Sequence, residues 1–265
     1  MEFSQTQLIG FGLLILGSLI IISLERIFPY DKGQKIFRKE FFLDFFWYNI
    51  FQSALLGIVI FSFIINYIDS TTGLSRFQIV TDWPVWVQLL FFTITHDLYI
   101  YLFHKWQHKN KFLWRLHEAH HSPKEVDWIS GARSHAGEIL INQTIEFLPI
   151  VLLGAPAEVV IFKSVISGVW GMWIHANVDV HSGKLQKYIN GPEMHRWHHS
   201  TGKGRNRNFA TKFAVWDWIF GTAYLPNEKP DDYGLKTEFP ANYFTQLAFA
   251  FRPFKKTVRK INKEA

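Results

Sequence analysis

Apolar residues in this chain are gathered into long uncharged runs separated by short polar stretches, the pattern of helices that cross a bilayer. Leu8 to Leu24 (LIGFGLLILGSLIIISL) is the first run, at the short end of the roughly 20 residues a crossing needs. No basic segment precedes it and no small-residue cleavage site follows, so it reads as an anchor helix and not a removed leader. A second run extends from about Phe41 to Ile68; Asp44 interrupts it early, Trp47 and Tyr48 suit an interface, and its length permits tilt or a bend near Gly57. The third begins near Trp83 and continues through VWVQLLFFTITHDLYIYLFH. A fourth stretch, Ile139 to Ile174, carries Lys163 and is broken by Pro149 and by Gly154 and Pro156, which predicts a helical hairpin that enters the membrane and returns.

These runs predict an all-α fold, an integral membrane helical bundle with a histidine-rich helical cap. Residues 1–95 form the N-terminal transmembrane helices, 96–225 the histidine-bearing region with its hairpin at about 139–174, and 226–265 a basic C-terminal tail ending in FRPFKKTVRKINKEA. The loop after the first run carries Arg26, Lys32, Lys35, Arg38 and Lys39, and the loop after the second is poor in lysine and arginine. That asymmetry orients the chain as a multi-pass protein with its histidine cap toward the cytoplasm.

Composition narrows the chemistry. The chain has no cysteine, which removes disulfides, thiolate metal sites and iron–sulfur ligation, and leaves nitrogen and oxygen as the only metal ligands. A net charge of +6 beside apolar spans points to a membrane surface and away from nucleic acid.

All twelve histidines lie between His96 and His199. The tightest groups are His104/His108, His117/His120/His121 and His195/His198/His199, whose spacings of three and four place side chains on one helical face. Each group is expected to aim its imidazoles at one point. A lone histidine is ordinarily a core or surface residue, but three groups with a repeated H-x-x-H-H spacing are not explained that way. Eight imidazoles exceed the four ligands of a structural zinc site and imply two metals. His135, His175 and His181 stand in reserve.

Asp97 and Tyr101 precede His104 at helical spacing, and Asp97, expensive in an apolar span, is expected to pair with a metal-bound imidazole. His96 is rotated off that face, and Tyr99, Trp106 and Trp114 read as packing or interface residues. Glu118 to His121 fits the Glu-x-x-His motif of soluble di-iron bundles once, with no second copy. No Gly-rich dinucleotide fingerprint is present, so reducing equivalents must come from elsewhere.

The ordered set D-x-x-x-Y-x-x-H-x-x-x-H (Asp97 to His108), LWRLHEAHHS (Leu113 to Ser122), ARSHAGE (Ala132 to Glu138), HANV (His175 to Val178), PEMHRWHHS (Pro192 to Ser200) and NFA…VWDWIFGT (Asn208 to Thr222) resembles the fatty acid hydroxylase/sterol desaturase superfamily of membrane di-iron enzymes. The resemblance implies two irons bound by His104, His108, His117, His120, His121, His175, His195, His198 and His199, with zinc as a substitute in purified samples. Asp97 and Asn177 are assigned to the catalytic surroundings, Asn177 to orient His175 or reach a metal through water.

The implied activity uses O2 and external electrons to hydroxylate an unactivated C–H bond of a lipid, fatty acyl, sterol or related. Desaturation and ether-lipid monooxygenation are alternatives on the same metals. A ferredoxin- or cytochrome-type carrier with its reductase would deliver electrons, docking at Lys203, Arg205 and Arg207. From other classes, a metal transporter would spread charged residues through the spans, and a bis-histidine haem protein would need fewer imidazoles.

Overall fold

The computed structural model describes residues 3–230 and 232–254, so the basic stretch from Lys255 onward lies outside the described residues. Helix α1 (Gln5–Ile27) starts at a capping box: the Ser4 hydroxyl accepts from the Gln7 N–H, and the Gln7 side chain accepts from the Ser4 N–H. Its mean hydropathy is 2.3 and only 11% of its most apolar window is buried, so its outer face is left for lipid. Helix α2 (Leu43–Thr72) is continuous, with π-helical stretches at Leu43–Gln52 and Val59–Ile65. Gly57 lies within this continuous helix with open space around it.

Helix α3 (Val85–Lys109) starts behind Pro84 and ends at Asn110, whose side chain caps α4 (Lys111–His117) by accepting from the N–H groups of Phe112 and Leu113. The expected hairpin is present as α5 (Ala136–Leu152) and α6 (Ala157–His175). Its turn passes through Gly154 at φ +78°, where a Cβ would come within 2.7 Å of the Gln78 Cα, so only glycine fits. Pro149 sits within α5 and Pro156 caps α6. Three short helices follow, α7 (Pro192–His198), α8 (Val215–Ile219) and α9 (Tyr243–Phe249). Among the described residues there is no strand, only the isolated bridges Pro29 to Val178 and Ser200 to Tyr233.

Helices α1, α2, α3 and α6 are each long and apolar enough to cross a membrane. An apolar core around Ile60, Phe92, Ile150 and Val159 joins α2, α3, α5 and α6. On the other side, α1 approaches α6 closely through small residues: a Cβ at Gly10 would meet Ile161 at 2.6 Å, and one at Gly17 would meet Val169 at 2.8 Å. Without a hydrophobic drive between helices in lipid, such close approach supplies the packing.

Charge, by contrast, is concentrated where α2 begins. Arg38 forks onto Asp127 with two contacts of 2.9 Å and also reaches Asp44; Arg133 bonds the other Asp44 oxygen and, at 2.7 Å, Glu40. Arg38 is therefore no loop charge but a buried tie between the polar segment after α1 and the turns that carry the histidines. Replacing Asp44 by Ala would leave two buried guanidinium groups short of an acceptor, and breaking such a pair costs about 3–5 kcal/mol. Thermal unfolding in detergent should show Asp44→Ala far less stable than wild type; a loss under about 1 kcal/mol would remove the network from the account of the fold.

Candidate metal centre

Nine histidines converge in two groups at the ends of α3 and α6. The first comprises His104, His108, His117, His121 and His198; the second comprises His120, His175, His195 and His199. Within each group one nitrogen per residue lies within 4.8 Å of all the others. The sequence clusters do not map one to one onto these groups. Helix α4 ends at His117, and the chain then turns tightly, with the His120 N–H on the His117 carbonyl and the His121 N–H on the Glu118 carbonyl. That turn swings His120 into the second group while His117 and His121 stay in the first. In α7 the i, i+4 pair His195 and His199 faces one group and His198 the other.

Six of the nine rings are held from behind by Nδ1. His104 reaches the Phe209 carbonyl at 2.8 Å, His120 the Arg133 carbonyl at 3.1 Å, and His175 the Gly171 carbonyl at 2.7 Å. His198 reaches the Arg207 carbonyl at 2.8 Å, His117 the Glu138 carboxylate at 2.8 Å, and His108 the Asn206 side-chain oxygen at 3.2 Å. An Nδ1 that donates leaves a bare lone pair on Nε2. Those Nε2 atoms face one another at 3.0 Å for His104 and His117 and 3.3 Å for His120 and His175. His198 Nε2 is buried without any partner. Acceptors aimed at acceptors repel unless a cation lies between them, so the donor set fits metal ions that favour imidazole, such as iron, copper or zinc.

Several expected site residues lie elsewhere. Asp97 touches no histidine; its carboxylate accepts from the Thr211 hydroxyl, the N–H groups of Lys212 and Phe213, and the Trp216 indole. It fixes the loop that presents the Phe209 carbonyl to His104, a step removed from the role expected of it. Asn177 likewise bonds the Asp31 N–H at 2.9 Å and the Asp31 carbonyl at 3.0 Å, and does not orient His175. Tyr101 donates or accepts at the Thr222 hydroxyl, 2.8 Å away. His135 caps α5 and bonds the Leu247 carbonyl, while His181 is exposed beside Glu193. His96 faces a separate cluster of Glu146 and Lys163.

What sequence reasoning missed is Glu138, among the described residues the one carboxylate bonded to an imidazole of either group. Its place as the acid in the first turn of α5, within ARSHAGE, was its available signal. Asp217 was also missed; it accepts from the N–H groups of Phe209 and Ala210 at 2.8 and 2.9 Å and so shares with Asp97 the support of that loop.

Outside the spans, His120, His121, His195, His198 and His199 have pKa values pushed well below the ordinary imidazole value, chiefly by burial and then by neighbouring imidazoles. They stay neutral when folded and take up protons near pH 6.5 when unfolded, so the stability they allow is present above about pH 6.5 and lost as pH falls below it. Melting of the metal-free protein in detergent should drop steeply between about pH 6.5 and 5. A flat profile there would contradict the buried, neutral cluster.

Beside the histidines lies a cavity of about 230 Å³, walled by α3, α5 and α6 and opening between Ile100, Phe103 and Ile139 on one side and His104, His117 and His120 on the other.

The profile of the fatty acid hydroxylase family matches residues 89–222, the segment that holds all nine histidines and both supporting aspartates. Over 97% of its length the chain is 27% identical to an ornithine lipid hydroxylase of Rhizobium tropici, 79% of which is covered. It is 32% identical over 58% of its length to human alkylglycerol monooxygenase, of which it spans 34%, and 29% identical over 51% to methylsterol monooxygenase 1-3 of Arabidopsis thaliana, of which it spans 47%. No solved structure matches the chain. With the matched segment and the paired imidazole groups coinciding, the chain belongs to the fatty acid hydroxylase family.

Proposed function

We propose that this protein is a membrane-bound di-iron oxygenase that hydroxylates an unactivated C–H bond of a membrane lipid. The observation that carries the reading is the inward convergence of the Nε2 atoms with the outer nitrogens engaged. His104, His108, His117, His121 and His198 would hold one iron, and His120, His175, His195 and His199 the other. When bound, the iron pair supplies oxygen activation: O2, two electrons and two protons convert C–H to C–OH, with the second oxygen leaving as water.

The chain's own residues do the rest. Glu138 and the carbonyls of Phe209, Arg133, Gly171 and Arg207 fix the ring orientations and raise their basicity. The apolar walls contributed by Ile100, Phe103 and Ile139 exclude water from the reacting carbon, and the substrate enters sideways from the bilayer. The relatives' names, each a lipid hydroxylase or monooxygenase, support the substrate class.

Protein purified from iron-supplemented cells should contain about two irons per chain. His198→Ala should reduce the first site and His120→Ala the second, each lowering hydroxylation by at least about 100-fold. Metal analysis and labelled-oxygen incorporation into cell lipids are the readouts. Wild type without stoichiometric metal, or full metal retention in the double variant, would overturn the assignment.

Electrons would arrive on the cytoplasmic side, the side assigned from the basic loops. There Lys109, Lys111, Arg115, Arg205 and Arg252 surround a cleft whose wall includes His108. Arg205 lies 5.0 Å over the Trp114 ring, itself 5.0 Å from His108 and 5.3 Å from His121. Arg207 is turned away to the Gly221 carbonyl. This surface suits an acidic carrier. Arg205→Glu should slow carrier-driven turnover by about tenfold at low salt, with the gap closing as salt rises. Equal slowing with a small chemical reductant would place Arg205 in the metal site's support instead.

A further inference from the structure

The cavity beside the histidines has apolar walls, yet it also carries more polar side chains than a chamber for hydrocarbon alone would need. Beyond the imidazoles of the two groups it is lined by Lys212, His96, Gln107, Asn142, Gln143 and Glu146. Some of these polar groups satisfy each other. Glu146 accepts from Lys163 and from the Ser167 hydroxyl, and Asn142 accepts from Tyr99 at 3.1 Å.

Others have nothing. Lys212 is only 7% exposed, yet its ammonium makes no hydrogen bond or ion pair among the described residues. His96, 8% exposed, has neither ring nitrogen hydrogen-bonded, its nearest charge being Glu146 at 3.5 Å. Gln107, 1% exposed, leaves its Nε2 donor unmatched.

A cation or donor in a protein interior is costly without an acceptor. Glu146 is matched by Lys163, and the Asp97 carboxylate is filled by neutral donors, so the Lys212 ammonium has no carboxylate bonded to it. The ammonium, the Gln107 amide N–H and one N–H of His96 are donors, which together select an acceptor rich in oxygen. Glu138 has one unpartnered oxygen, but its other oxygen is engaged by His117, so it belongs to the charge balance of the histidine groups.

Size limits the ligand as well. At about 230 Å³ the cavity is smaller than the roughly 300–1,000 Å³ of a site that encloses a whole small ligand. That accommodates a head group and the first few carbons of a lipid, and leaves the rest of an acyl chain in the bilayer outside.

Building on the lipid-oxygenase reading, we propose that this cavity binds the anionic head of an amphipathic lipid. A carboxylate or phosphate sits on Lys212, flanked by Gln107 and His96, and the carbon presented to the histidine groups lies within a few bonds of that head. The unpaired ammonium selects among the lipids that reach the cavity, and the histidine groups face what it holds.

The test is binding, not turnover. In detergent, titrate the purified protein with three probes of one chain length: an N-acyl amino acid with a free carboxylate, its methyl ester, and a lysophosphatidic acid. Follow tryptophan fluorescence, since Trp170 lines the cavity. Wild type should bind at least one anionic probe about tenfold more tightly than the ester. Lys212→Met should abolish that preference and Lys212→Arg should retain most of it. The tighter anionic probe identifies carboxylate or phosphate as the natural head. No preference in wild type, or a preference unchanged in Lys212→Met, overturns the proposal. Metal content measured on the same samples separates the two readings. Head-group preference without iron sinks the oxygenase assignment alone, whereas iron and lipid oxidation without preference sinks this one alone.

Discussion

Nitrogen lone pairs 3.0–3.3 Å apart repel, and the arrangement of this molecule follows from the need to hold them there. Each imidazole is free to rotate unless its outer nitrogen is pinned, so most of the pins are backbone carbonyls, which do not change rotamer. The carbonyls of Phe209, Arg133 and Arg207 lie outside the helices, and their segments need fastening in their own right. Asp97 and Asp217 fasten the segment around Phe209, and Arg133 is clamped by Asp44 and Glu40 while its carbonyl holds His120. The buried charges of the chain are thus arranged in a second layer around the histidines.

The bilayer divides the work. Outward faces of α1 and α2 carry exposed Leu, Ile and Phe side chains that only lipid can cover. Inward, the helices bring polar groups into a medium where each must be paired, and Glu146 with Lys163 does this across the hairpin. Among the buried polar groups left without partners, His96, Gln107 and Glu138 line one cavity, where a ligand can supply what the protein does not.

The spans were legible because apolar runs of that length admit few other readings, and the hairpin because Pro149, Gly154 and Pro156 interrupt one of them. The histidines identified themselves by spacing. Their division into two groups was not legible, because it depends on a turn after His117 that no helical spacing announces. Asp97 and Asn177 were misplaced for a related reason. A buried polar side chain must find a partner, but the partners here are the Lys212 N–H and the Asp31 backbone, more than a hundred residues away in sequence. Glu138 shows the converse: its partner His117 lies 21 residues before it, across a loop that periodicity does not describe.

The glycine notches at Gly10 and Gly17 join the first helix of the chain to the one that ends in His175. At both points side chains of α6 seat directly against the α1 backbone, so the two helices are coupled along their length. A bilayer whose thickness forces the anchor helix to tilt therefore tilts α6 with it, and the far end of α6 is an imidazole in the second histidine group. The membrane is in this sense part of the coordination geometry: its thickness reaches the centre mechanically, through a helix that contributes no ligand of its own.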